Sequence, residues 1–234
     1  MKLHTREWGR GDRLAVLVHG IMSDHRTWRL IGPALAERGY RVLAVDLRGH
    51  GRSPRGTGGS PLERYPLEAY SDDLVENLPT GVELAIGHSL GGIALAGAVE
   101  RLEPARAVYV DPAWRFAQTG MDPRVMAELR HLTREQIVAL SPSWEPDDVD
   151  AELAAAAAWD EDSAWALADQ RSDLPAGPAV PSLAVLADRS LLVDASSARA
   201  LRARGFEVRT VPGAGHTVHR DDPAGFLAAL DGWL

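Results

Sequence analysis

Short apolar runs rich in β-branched residues recur along the chain, and the segments between them carry apolar positions three and four apart. Leu3 to Trp8, Leu14 to His19, Tyr40 to Asp46, Val82 to His88, Ala105 to Val110, Pro181 to Ala187 and Phe206 to Val211 read as strands. The run beginning at Leu14 has no polar alternation, which marks a strand buried on both faces. Trp28, Ile31, Leu35 and Ala36 predict a helix over 27–38 stopped by Gly39, and Leu67, Tyr70, Leu74 and Leu78 predict one over 67–78. Further helices are expected from Ile93 to Arg101, from Asp194 to Arg204 and from Pro223 to Leu234. Strands alternating with helices in this way predict the α/β class, a mostly parallel sheet flanked by helices on both faces.

The alternation stops between residues 113 and 179. Four helical patterns fall there, Pro123 to Leu132, Thr133 to Leu140, Asp147 to Trp159 and Asp162 to Gln170, without a strand pattern among them. Thr133 followed by Gln136 fits a capping box. The expected organisation is therefore a core of residues 1–112 and 180–234 carrying a helical cap at 113–179. Four of the seven tryptophans, Trp114, Trp144, Trp159 and Trp165, lie in that insertion. At least two are expected to pack between cap and sheet, and the others to line an apolar substrate pocket. Arg55 to Pro61 has no apolar pattern and reads as a surface loop; lacking a following G-K-[ST], it is not a phosphate loop.

Composition narrows the partners. A chain of 234 residues is most simply one domain, and its formal charge of -8 argues against nucleic acid or an anionic membrane as a partner. The absence of cysteine excludes a disulfide framework, a thiolate nucleophile and a thiolate metal site. No signal-peptide pattern or membrane-length apolar run occurs, so a cytoplasmic protein is expected, a monomer by default.

The candidate chemistry centres on Gly87-His88-Ser89-Leu90-Gly91-Gly92, where a strand breaks at once into a helix. The spacing fits G-x-S-x-G, which mounts a serine at a sharp turn with a helix N-terminus behind it. The amide of Leu90 is placed to receive a developing oxyanion, and the amide of Ile21, after Gly20, is a second donor. His19 reads as a strand-end histidine satisfied by backbone bonds. His50 and Asp46 read as a structural pair on a glycine-rich turn rather than a metal site. His216 lies on a loop after the last strand, from which it can reach across the sheet top; His219, its nearest rival, is expected at the surface.

Three stretches together resemble the α/β-hydrolase fold family over nearly the whole chain: Val18-His19-Gly20 with Asp46-x-Arg48-Gly49-His50-Gly51-x-Ser53, the elbow around Ser89, and Gly213-Ala214-Gly215-His216. The resemblance implies a serine nucleophile at Ser89, His216 as general base and acid, and a carboxylate that fixes the imidazole tautomer. Where family members usually carry that aspartate, after the penultimate strand, this chain has Ser190. The fold also allows the acid to follow the strand after the nucleophile helix, where Asp111 stands. Asp111 is the expected acid, with Ser190 close to His216 and hydrogen-bonding within the site; Asp188 is the alternative and Asp194 a third choice. The implied activity is hydrolysis of carboxylic esters of small or aromatic substrates without metal or organic cofactor. Thioester, lactone, amide and carbon-carbon bond hydrolysis, cofactor-free perhydrolysis and low-turnover ligand binding share the same residues. Serine at the elbow disfavours dehalogenase and epoxide-hydrolase chemistry.

Overall fold

The computed structural model describes residues 1–234. Seven strands form one sheet: β1 (Thr5–Trp8), β2 (Arg13–Val18), β3 (Tyr40–Val45), β4 (Leu84–His88), β5 (Arg106–Val110), β6 (Ser182–Ala187) and β7 (Glu207–Val211). Their order is β1-β3-β2-β4-β5-β6-β7, with β1 antiparallel to β3 and every other pair parallel. β3 and β4 lie on opposite sides of β2, so the winding direction reverses there. Crevices at such reversals, outside the carboxyl ends of the strands, are where open α/β sheets place ligands.

The period-2 pattern of the inner strands feeds two cores. Val16 and Val18 face one, while Ala15 and Leu17 face the other, and all four are fully buried. The larger core packs under α3 (Leu67–Asn77) and α4 (Leu90–Leu102); the smaller one holds Ile31 and Leu35 of α1 (Ile31–Ala36) and Phe226. Each fully buried Leu or Val contributes about 1.5–3 kcal/mol, which fixes the register of the strands that carry them.

The helix expected over 27–38 is divided into a 3₁₀ turn at His25–Trp28 and α1. Pro33 has no N–H to offer the carbonyl of residue 29, so the helix restarts at Ile31, where Pro33 falls in a first turn that needs no such donor. The loop expected at 55–61 runs into a short helix, α2 (Pro61–Arg64), started by a capping box in which Ser60 and Glu63 bond each other's backbone amides.

Between β5 and β6 the chain is helical without a strand: α5 (Pro123–Leu129), α6 (Arg134–Leu140), α7 (Pro146–Ala158) and α8 (Asp162–Asp169). Thr133 caps α6 as its sequence predicts. The segment is tied back to the sheet by Tyr65, whose buried hydroxyl donates to Asp160 at 2.6 Å, and by Arg29, which pairs with Asp148 at 2.8 Å. The chain closes with α9 (Ala195–Ala203), α10 (Val218–Asp221) and α11 (Pro223–Ala229). No helix is long and apolar enough to cross a membrane.

Candidate active site

The loops after β2, β4, β5 and β7 meet at the carboxyl edge of the sheet. Ser89, between β4 and α4, has φ 51° and ψ -115°, a conformation that costs an L-residue about 1–3 kcal/mol and persists only where the surroundings hold it. They do so here: the Ser89 amide donates to the Val110 carbonyl at 3.0 Å, and its own carbonyl accepts from Gly92 at 2.9 Å and Ala113 at 3.2 Å. The sharp turn also needs Gly91, where a Cβ would lie 2.4 Å from the carbonyl oxygens of Val18 and His19.

Asp111 follows β5 directly, also at positive φ, and is fully buried. One carboxylate oxygen accepts from the Ala187 amide at 3.3 Å, and the other accepts from Nδ1 of His216 at 2.7 Å. Asp111 is thus the carboxylate that touches the imidazole. Asp188 is exposed, its backbone bonded to Ala214, and Asp194 caps α9 through the Ser197 amide. Ser190 borders the same cavity as His216, but its hydroxyl accepts from the amides of Leu192 at 3.1 Å and Val193 at 2.8 Å, holding its own loop and not the imidazole.

Ser89 and His216 border one cavity of about 370 Å³, together with Asp111, His88 and Ile21. The Ser89 hydroxyl and the His216 ring share this space without a hydrogen bond between them. The Ile21 amide has no hydrogen-bond partner in the protein. Leu90 opens α4, so its amide is one that no carbonyl of its own helix reaches. His88 donates from Nε2 to the His216 carbonyl at 3.0 Å, while its buried Nδ1 has no partner.

His219 is not at the surface but fully buried, stacked on Trp28 with ring centroids 4.1 Å apart and hydrogen-bonded to Thr27 at 2.8 Å. Desolvation pushes the imidazoles of both His88 and His219 far below their ordinary range, so each stays neutral. His19 behaves as expected, donating to the Gly20 carbonyl and accepting from Leu47. Asp46 pairs with His25 at 2.8 Å instead of His50, which bonds the Arg48 carbonyl. His4, His25 and Asp46 bring ligand-type atoms within 4.8 Å of one another. The Asp46 oxygens are already taken by His25 and the Arg52 amide, and Arg6, Arg26, Arg29 and Arg52 border the same hollow, both of which oppose a cation.

The expected tryptophan lining is replaced by methionine and leucine. Trp114 packs against Tyr109 and Phe206, Trp159 is buried with its indole N–H on Ser163, and Trp144 donates to Asp221 at 2.7 Å. Trp165 is partly exposed, and none of the four borders the cavity. Its apolar residues include Met22, Phe116, Met121, Met126, Leu129 and Leu167, and its polar ones Ser23, Thr27, Glu152 and Arg220. These escape pattern reading because Met and Leu at helical spacing look the same whether they face a core or a cavity.

A family model described as "Alpha/beta hydrolase family" matches residues 15–229. Among curated proteins, bifunctional epoxide hydrolase 2 of Sus scrofa is 38% identical over 96 residues, 40% of this chain and 17% of that protein. Pimeloyl-[acyl-carrier protein] methyl ester esterase of Sodalis glossinidius is 36% identical over 131 residues, 55% of this chain and 48% of that one. The matched stretch is thus less than half the length of either relative. Among solved structures, an N-formylmaleamic acid deformylase from Pseudomonas putida superposes with a TM-score of 0.76 over 98% of this chain and 95% of that one, at 21% identity.

Proposed function

The chain belongs to the alpha/beta hydrolase family, and from that premise we propose that it is a serine hydrolase cleaving carboxylic esters of small or aromatic substrates through an acyl-enzyme on Ser89. The observation that carries the reading is the 2.7 Å bond from His216 Nδ1 to the buried Asp111 carboxylate. That bond puts the ring proton on Nδ1 and leaves Nε2 as a base at the cavity that Ser89 also borders.

The step follows from those positions. Ser89 Oγ attacks the ester carbonyl carbon as its proton passes to His216 Nε2, and the carbonyl electron pair moves to oxygen, received by the amides of Ile21 and Leu90. Collapse of the tetrahedral intermediate breaks the bond to the alkoxy group, which leaves as the alcohol with the proton from Nε2. Water then adds to the acyl group by the same route, its proton going to Nε2 and on to Ser89, and the free acid departs. Asp111 steadies the imidazolium formed in each half. A helical cap at 113–179 forms the far side of the cavity in this reading, through Phe116, Met121, Met126, Leu129 and Leu167. Ser89 offers a hydroxyl, not the carboxylate that alkyl-enzyme chemistry on this fold needs.

The test is pre-steady-state release of p-nitrophenolate from p-nitrophenyl butyrate. A burst matching the enzyme concentration is expected, with turnover lowered by at least about 10³-fold in Ser89→Ala. Wild-type protein without turnover, or turnover that survives Ser89→Ala, overturns the proposal.

A further inference from the structure

The cavity beside Ser89 has two unlike walls. One is aliphatic: Met126, Phe116 and Leu167 belong to the larger core, and Met121, Leu192 and Met22 pack against it. Three of those side chains are methionines, which adapt to a flexible linear chain more readily than a rigid aromatic slot does. The other wall is polar and bonded together. Thr27 meets His219; the next residue, Arg220, is 3% exposed and pairs with Glu152 at 2.6 Å.

Arg220 is held from several sides. Its guanidinium lies 3.6 Å over the Trp144 ring, donates to the Asp148 carbonyl and turns Nε toward the Asp148 carboxylate at 3.6 Å. Such a group positions its neighbours more than it receives a ligand. Glu152 is the neighbour that borders the cavity, and Arg220 engages its Oε2, leaving Oε1 without a protein donor. The charges behind this wall favour a donor too. Arg29 and Arg220 face four carboxylates, Glu145, Asp147, Asp148 and Glu152, an excess of negative charge. The other guanidinium bordering the cavity, Arg189, is exposed.

We infer that Glu152 is a specificity-determining residue, whose free carboxylate oxygen receives a hydroxyl or ammonium on the alcohol side of an ester while the acyl chain lies along the methionine wall. Arg220 acts as its positioning residue. The inference rests on the hydrolytic reading of the same cavity, and its test does not require turnover. Four hexanoate esters, 2-hydroxyethyl, 2-(dimethylamino)ethyl, 2-methoxyethyl and carboxymethyl, are titrated calorimetrically into Ser89→Ala protein. The hydroxyl and ammonium esters are expected to bind about tenfold more tightly than the methoxy ester, and the anionic ester most weakly.

Adding Glu152→Gln keeps an oxygen for Arg220 but replaces the free acceptor and its charge, so the ammonium ester is expected to lose most of its advantage over the methoxy ester. Equal binding of all four, no binding of any, or tightest binding of the carboxymethyl ester overturns the inference, as does an ammonium advantage that survives Glu152→Gln. Should that variant fail to fold, the four-ester comparison in Ser89→Ala decides alone. Absence of turnover in the wild-type protein tells against Ser89 chemistry, and the binding order tells separately against Glu152.

Discussion

The ring of His88 is joined to the backbone of His216: Nε2 of the first donates to the carbonyl oxygen of the second at 3.0 Å, with ring centroids 4.7 Å apart. A carbonyl can only accept, so His88 carries its proton on Nε2, and burial keeps it neutral. The residue before Ser89 therefore pins the loop that delivers the imidazole. Replacing His88 with Ala removes one buried bond, a loss of about 1–1.5 kcal/mol. The expected result is a fall in kcat of about five- to tenfold, with the burst of acyl-enzyme still detectable by stopped flow. An unchanged kcat contradicts the pinning role.

Gly20 stands against the same group. A Cβ there would lie 2.8 Å from His88 Nδ1 and 2.9 Å from Ser89 Cβ, so the neighbours must move to admit it. Gly20→Ala is expected to destabilise the protein by about 1–3 kcal/mol and to lower turnover more than stability, because the displaced atoms belong to the site. Urea unfolding and ester turnover measured side by side check this; a variant with wild-type values in both refutes it.

The choice of acid is tested by paired substitutions. Asp111→Asn removes the anion that fixes the imidazole tautomer and is expected to lower kcat by about 10³–10⁴-fold, while Asp188→Asn, on an exposed side chain, is expected to stay within twofold. Collapse of turnover in Asp188→Asn alone reverses the assignment.

Stability is expected to depend on pH through the buried histidines. His19, His50, His88 and His219 are each held below their ordinary value by desolvation, His50 down to about 3. Above about pH 6.5 these groups are neutral folded and unfolded alike, and their contribution is fully present. As pH falls below that value the unfolded chain binds protons that the folded protein refuses, which costs about 1.4 kcal/mol per pH unit for each histidine. The urea midpoint should therefore drop clearly between pH 7 and pH 5.5; a flat profile is inconsistent with neutral buried imidazoles.

Much of the scaffold is written in near-neighbour patterns. An unbroken β-branched apolar run such as 14–18 favours an inner strand, and small residues around Ser89 suit a close turn, because these constraints act between residues a few positions apart. Hence the mostly parallel sheet, the helical stretch between β5 and β6 and the strand-to-helix turn at Ser89 were legible from the letters, as was the capping of α6. Pro33, which breaks the helix expected over 27–38, and Ser60 with Glu63, which cap α2, carry information of the same near-neighbour kind.

What tertiary structure alone decided is contact across distance in the chain. Asp111 and His216 are 105 residues apart, and which of several aspartates meets the ring depends on where the ends of β5 and β6 fall in the sheet. The burial of His219, the departure of the tryptophans from the cavity and the exposure of Glu152 to it are of the same kind. Each is set by which faces of distant elements meet, and a side chain's own neighbours in sequence carry no record of that.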